Sequence, residues 1–69
     1  MIIYNPIQKK EQHIENIKLV THNLPNKKGE YENIKYVEFT VIGNNNKWTD
    51  FLSYIDFKNA NENIEITRE

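Results

Sequence analysis

The sequence contains no cysteine, and this absence removes two common ways of stabilising a small domain. Disulfide bonds and thiolate-bound zinc both need cysteine side chains. The chain has 69 residues, and a domain of this size buries only about 60% of the surface that its unfolded chain exposes. We therefore expect its stability to come from good packing or from association with another chain.

Side chains that commonly carry catalysis are also scarce. Ser53 is the only serine, and no base stands near it in a recognisable motif. The two glycines, Gly29 and Gly43, are too few for a phosphate-binding loop. The two histidines, His13 and His22, flank a predicted strand and would lie roughly 30 Å apart. We therefore expect a protein that is not an enzyme and that holds no metal and no cofactor.

An excess of charge of one sign is missing as well. The formal net charge is −1 at pH 7, and Arg68 is the only arginine. Tight non-specific binding to nucleic acid depends on an excess of lysine and arginine, so this balance argues against it. No apolar run approaches the ~20 residues that a membrane-spanning helix needs. These observations predict a cytoplasmic protein with no membrane partner.

Two segments are predicted as the strands of an antiparallel hairpin. In residues 14–21, Ile17 and Leu19 alternate with polar positions, which is typical of a strand with one buried face. Residues 31–42 are rich in β-branched and aromatic side chains, as strands are. The segment between them contains asparagine, proline and glycine, which favour turns.

The second of these strands has two apolar faces. One face carries Val37, Phe39 and Val41. The other face carries Ile34, Tyr36, Glu38, Thr40 and Ile42. A strand that is apolar on both faces is typical of the centre of a sheet, so we expect residues 31–42 to be central.

Two interpretations compete for the segment after the Asn-rich turn. Apolar side chains at the spacing i, i+3, i+4 and i+7 predict an amphipathic helix over about 48–60, closed by Asn61 in a left-handed conformation. The side chains concerned are Trp48, Phe51, Leu52 and Ile55. The alternative is a strand over 48–54 followed by a single helical turn.

The predicted architecture is a single α+β domain over residues 1–69. A small antiparallel sheet, formed by the 14–21/31–42 hairpin and a C-terminal strand at 63–67, is covered by one helix at about 48–60. The alternative is a nearly all-β small barrel. Within the N-terminal arm, residues 1–12, the segment 2–4 is predicted as a short strand or a packed arm, and the alternative is that the arm is loose.

One helix can cover only one face of the central strand, so the other face is a candidate binding surface. Ile34, Tyr36 and Ile42 would form an apolar patch there, and such patches mark interfaces on small proteins. Trp48 is either the core anchor of the helix or part of the same interface, where tryptophan is enriched.

A second candidate surface would bind single-stranded nucleic acid weakly. Lys27, Lys28 and Lys47 lie in predicted loops, and Tyr31 could stack on a base beside them. Neighbouring glutamates would repel a phosphate backbone, which favours solvated lysines instead.

The sequence thus predicts a protein-binding module that is not an enzyme, with a protein partner or a second copy as the bound molecule. Proteins of this size and amino-acid composition are common in phages and mobile elements, where they often inhibit or adapt a host protein. The alternative is a weak binder of single-stranded nucleic acid.

Overall fold

The fold is a curled antiparallel sheet of four strands, followed by one short helix. The computed structural model describes residues 1–64. The elements in chain order are β1 (Ile2–Asn5), β2 (Lys10–Pro25), β3 (Tyr31–Ile42), β4 (Lys47–Ser53) and α1 (Tyr54–Ala60). The strands lie in the sheet in the same order as in the chain, so each pairs with its sequence neighbour.

The predicted hairpin is confirmed, and its strands are longer than the pattern indicated. β2 and β3 stay paired as far as Pro25 and Tyr31, which leaves only a short turn between them. The Asn26 side-chain oxygen accepts hydrogen bonds from the backbone N–H groups of Lys28 and Glu30, at 2.9 and 3.0 Å. Gly29 takes φ of +82°, a conformation that costs glycine little.

A β-bulge in β2 bends the sheet. Glu15 pairs with Thr40 and Lys18 with Glu38, so Asn16 and Ile17 together face the single residue Phe39. Asn16 has φ of +56°, which asparagine tolerates better than most residues. The bulged strand bends and its twist increases, as is usual at such sites.

The extra residue of the bulge also shifts the side-chain alternation of β2 by one position, so that apolar residues on both sides of the bulge point to the core. Ile14 is buried, and Ile17 and Leu19 pack against the core. The three could not share a face in a regular strand, because side chains alternate with a period of two.

The core lies on the concave face of the sheet, called here the inner face. Val37, Phe39 and Val41 are buried there, as the sequence predicted. The full buried apolar set is Ile3, Ile14, Val37, Phe39, Val41, Leu52 and Phe57. Phe57 comes from the helix, so α1 closes the inner face.

The predicted helix over about 48–60 is wrong in its first half. Residues 47–53 form strand β4, which pairs with β3 from Ile42↔Lys47 to Tyr36↔Ser53. The strand alternative is nearer to the structure. The apolar residues of this segment fit the period of a helix and also the period of a strand. The edge of β3 that does not pair with β2 has backbone groups that need partners, and this requirement favours the strand.

The helix itself is short and capped by side chains. The Ser53 hydroxyl accepts a hydrogen bond from the Asp56 N–H at 3.2 Å, which satisfies one free donor at the helix start. Asn61 is the C-cap, as predicted, but its φ of −139° is not left-handed. Its N–H donates to the Phe57 carbonyl at 2.9 Å.

Both ends of the described chain pack on the sheet. Ile2–Asn5 is a paired strand, and Ile3 is buried. At the other end Ile64 packs against the core, while residues 63 and 64 are not in a strand. The rest of the predicted strand at 63–67 lies outside the described residues.

Candidate functional site

A row of aromatic rings crosses the convex face of the sheet, called here the outer face. His22 on β2, Tyr36 on β3 and Phe51 on β4 point away from the core. The rings of His22 and Tyr36 meet edge to face with centroids 5.3 Å apart, and those of Tyr36 and Phe51 do so at 5.4 Å. This T-shaped arrangement suits the charge distribution of aromatic rings.

Aliphatic side chains extend this row into a larger surface. Val20 pairs directly with Tyr36, and Ile34 pairs with His22. We call the set Val20, His22, Ile34, Tyr36 and Phe51 the aromatic patch. Phe51 is 59% exposed, whereas Tyr36 is half-buried between its two ring neighbours.

The patch continues around the end of β4. An open hollow of about 350 Å³ is lined by Ile34 and Ile55, with Ser53 and Tyr54 between them. Ile55, on the first turn of α1, is 70% exposed. The apolar surface therefore runs from the sheet onto the start of the helix.

Beyond the aromatic patch, the outer face carries charged side chains of both signs together with Thr40, Thr49 and Ile42. Lys18 Nζ lies 3.2 Å from a Glu38 carboxylate oxygen, and Lys47 Nζ lies 2.7 Å from a Glu15 oxygen. Glu38 is the direct cross-strand neighbour of Phe51, so the charged rows begin where the aromatic patch ends. These two lysines and two glutamates give this part of the face no net charge.

The structure separates the residues that the sequence grouped as a binding patch. Ile34 and Tyr36 lie together in the aromatic patch. Ile42 is on the same face, but roughly 20 Å farther along β3 than Tyr36. Trp48 pairs with Val41, so it lies on the inner side, at the open end of the sheet. It is 41% exposed and lines an open groove of about 470 Å³ with His13.

Three patch residues were missed from the sequence: Val20, His22 and, because a helix was predicted there, Phe51. A helical period places it beside Leu52 on one apolar face. In the strand, adjacent residues point to opposite faces, so Leu52 enters the core and Phe51 does not. The signal that could have found it was the alternation of Lys47, Thr49, Phe51 and Ser53 against Trp48, Asp50 and Leu52.

The candidate nucleic-acid residues are not brought together. Lys27 and Lys28 lie in the β2–β3 turn, and Tyr31, 71% exposed, begins β3 beside them. Lys47 pairs with Ile42 at the opposite end of β3, about 35 Å away. It is also occupied by its ion pair with Glu15. No continuous basic surface joins these residues.

The remaining candidates have structural roles or isolated positions. Within residues 1–64, no three His, Asp or Glu side chains are grouped so that they could hold a metal ion. The hydroxyl of Ser53 is engaged as the helix cap. No helix in the described part of the chain is both long and apolar enough to cross a membrane.

Comparison with known proteins gives no family to which the chain can be assigned. No protein-family model matches the chain. None of the curated proteins matches it, and no solved structure does. The aromatic patch, with its charged surroundings, is therefore the basis for any functional conclusion.

Proposed function

We propose that this protein is a protein-binding module without enzymatic activity, and that the aromatic patch is its binding surface. The observation that carries the proposal is the exposed Phe51 on the edge strand β4, held edge to face against Tyr36 on the neighbouring strand β3. Aromatic side chains are enriched at the centres of protein interfaces, because they bury a large area and lose few rotamers.

The position of the patch supports a binding role over a folding role. The core on the inner face is complete without these rings, since Phe57 of the helix closes it. The ring of Phe51 packs edge to face against Tyr36, and the residue remains 59% exposed. A contiguous apolar surface of this kind on a small protein usually serves an interface.

The rigidity of the patch also supports binding. His22, Tyr36 and Phe51 come from three paired strands, so the backbone fixes their spacing. A surface that is ordered before contact loses little conformational entropy when a partner binds. In a phage or mobile element, such a module would inhibit or adapt a host protein through this face.

Photochemical cross-linking tests this proposal directly. Phe51 is replaced by p-benzoylphenylalanine, which cross-links to whatever protein covers it. Tyr31 receives the same replacement as a control, because it is more exposed but lies off the patch. In cells of the native source we expect a specific protein adduct from position 51 and none from position 31. Equal adducts from both positions, or none from position 51, would contradict the proposal.

A further inference from the structure

We propose that the protein partner binds as an extended strand, which pairs with the free edge of β4 and lays its side chains beside the aromatic patch. This inference rests on the proposed function, because Phe51 belongs both to the patch and to β4. The partner segment is a strand of another protein, apolar on the side of Phe51 and cationic on the side of Asp50.

The backbone of β4 has hydrogen-bonding groups that face away from the sheet. β4 is the last strand in the sheet order. At the turn between β3 and β4, the Gly43 N–H donates to the Asn46 carbonyl at 2.8 Å. Such bonds recur at every second residue of an antiparallel pair, so the even-numbered residues of β4 bond to β3. The residues whose N–H and C=O groups point to the free edge are therefore Lys47, Thr49 and Phe51.

Free backbone groups at this spacing select an extended peptide as the bound molecule. Alternate residues of a strand recur about every 7 Å, and a second strand presents its own donors and acceptors at the same interval. A helix satisfies its backbone groups internally and has none to offer along a sheet edge. Strand addition to an exposed edge is a recurring mode of peptide recognition.

The other edge of the sheet is closed, and this contrast points to β4 as the binding edge. The Asn61 carboxamide forms hydrogen bonds with both backbone groups of Tyr4 on β1, which has four residues. β4 has seven residues, and both Thr49 and Phe51 are exposed on it. Proteins prevent unwanted pairing with short or covered edges. A longer, open edge beside an aromatic ring is suited to pairing with a partner.

A carboxylate at this edge indicates the charge of the incoming strand. Asp50 Oδ1 accepts a hydrogen bond from the Phe51 N–H at 2.8 Å, so the free protein keeps this donor occupied. When a partner carbonyl takes over the Phe51 N–H, the carboxylate is released and needs a cation. Its cross-strand neighbour Phe39 is apolar and cannot supply one. A cationic side chain on the added strand therefore complements Asp50.

This charge requirement favours a different protein over a second copy of β4. The side chains that β4 places on the same side as Asp50 are those of Trp48 and Leu52. Neither carries a positive charge, so two paired copies of β4 would leave both Asp50 carboxylates without a cation.

On the outer face, the added strand extends the aromatic row by one position. The rings of His22, Tyr36 and Phe51 already cross three adjacent strands. Directly opposite side chains on paired strands have Cβ atoms about 5 Å apart, so the partner residue opposite Phe51 packs on its exposed ring. Apolar and β-branched side chains suit that position.

Replacing Thr49 with proline removes an edge donor and tests strand addition. Edge strands tolerate proline where its missing N–H faces solvent, so Thr49→Pro should stay folded by circular dichroism. Thr49→Ala is the matched control, because it loses the side chain and keeps the N–H. The probe is a peptide as long as β4 that alternates valine with lysine. In an NMR titration we expect Thr49→Ala to bind it like the wild type and Thr49→Pro at least about tenfold more weakly.

Amide hydrogen exchange of the wild type tests the edge without any substitution. In the free protein we expect the Thr49 amide to exchange faster than those of Trp48 and Leu52. The valine–lysine peptide should slow exchange at Thr49 and Phe51, whereas the same peptide with an N-methylated backbone should not. A Thr49 amide already protected in the free protein would mean that this chain or a second copy occupies the edge, and it overturns the inference.

The remaining outcomes separate strand addition from the proposed function. Equal peptide binding by the proline and alanine variants, or no binding to the wild type, overturns strand addition. In cells, the cross-linked adduct from position 51 should be lost with Thr49→Pro and kept with Thr49→Ala. An adduct that persists with Thr49→Pro leaves the binding function standing and shows that the partner contacts side chains alone. If position 51 yields no adduct with unaltered Thr49, the proposed function fails.

Discussion

The carboxamide of Asn61 forms hydrogen bonds with both backbone groups of Tyr4, a residue 57 positions earlier in the chain. The Tyr4 N–H donates to Asn61 Oδ1 at 2.8 Å, and Asn61 Nδ2 donates to the Tyr4 carbonyl at 2.9 Å. The side chain thus pairs with the edge of β1 that faces away from β2, as a neighbouring strand would. It ties the end of the helix to the first strand and protects an edge that would otherwise be open to pairing with another chain.

We expect Asn61→Ala to lower the free energy of unfolding by about 1–3 kcal/mol, because it removes these bonds and leaves buried polar groups without partners. Urea denaturation followed by circular dichroism would measure the loss. Asn59→Ala is the control, since Asn59 is exposed on the same helix. Asn61→Asp should cost at least as much as Asn61→Ala, because its second carboxylate oxygen would face the carbonyl oxygens of Tyr4 and Phe57 that Asn61 Nδ2 now donates to. Equal stability of both alanine variants would show that the contact does not matter.

The two phenylalanines Phe39 and Phe51, on adjacent strands, should differ strongly in how much stability the same substitution costs. Phe39 is 1% exposed, so Phe39→Ala should cost roughly 3–5 kcal/mol and prevent folding in so small a domain. Phe51→Ala should cost less than about 1 kcal/mol when measured at low protein concentration, because its ring is largely in solvent. A dispersed NMR spectrum for Phe39→Ala would mean that the inner face is assigned incorrectly.

The turn between β3 and β4 requires glycine for a steric reason. A Cβ at Gly43 would lie 2.8 Å from Cζ3 of Trp48 and 3.1 Å from the Asn46 carbonyl oxygen. We expect Gly43→Ala to destabilise the fold by about 1–3 kcal/mol, as overpacking does. It should also shift the fluorescence of Trp48, the only tryptophan.

The matched control for this turn is Gly29→Ala. Its Cβ would meet nothing within 4 Å, and its strain would come only from the positive φ. It should therefore lower stability without changing the tryptophan emission. Identical emission changes in both variants would refute the proposed contact between Gly43 and Trp48.

Binding to random single-stranded DNA should be weaker than about micromolar at physiological salt, because the chain has little excess cation to exchange for counterions. Fluorescence anisotropy would measure the affinity. The double variant Lys27→Gln, Lys28→Gln should change it little, since these lysines are about 35 Å from Lys47 along the sheet. A tight complex whose affinity falls steeply with salt would favour the nucleic-acid alternative.

Local patterns in the sequence determined much of the β2–β3 hairpin and of the inner face of the sheet. The alternation in residues 31–42 predicted which side chains are buried, because a strand has no other way to place Val37, Phe39 and Val41 on one face. The turn residues between β2 and β3 predicted the hairpin, since Gly29 adopts a positive φ that other residues resist. The antiparallel pairing followed from a connection too short for any other arrangement.

Only the tertiary structure decided the segment after the second turn and, with it, the candidate site. Phe51 and Leu52 fit a helix as well as a strand by sequence alone. The unpaired edge of β3 selects the strand, because its backbone groups gain partners only if residues 47–53 are extended. That choice sends Phe51 to the outer face. The bonds between Asn61 and Tyr4 are equally invisible in local sequence, because they join residues that only the curl of the sheet brings together.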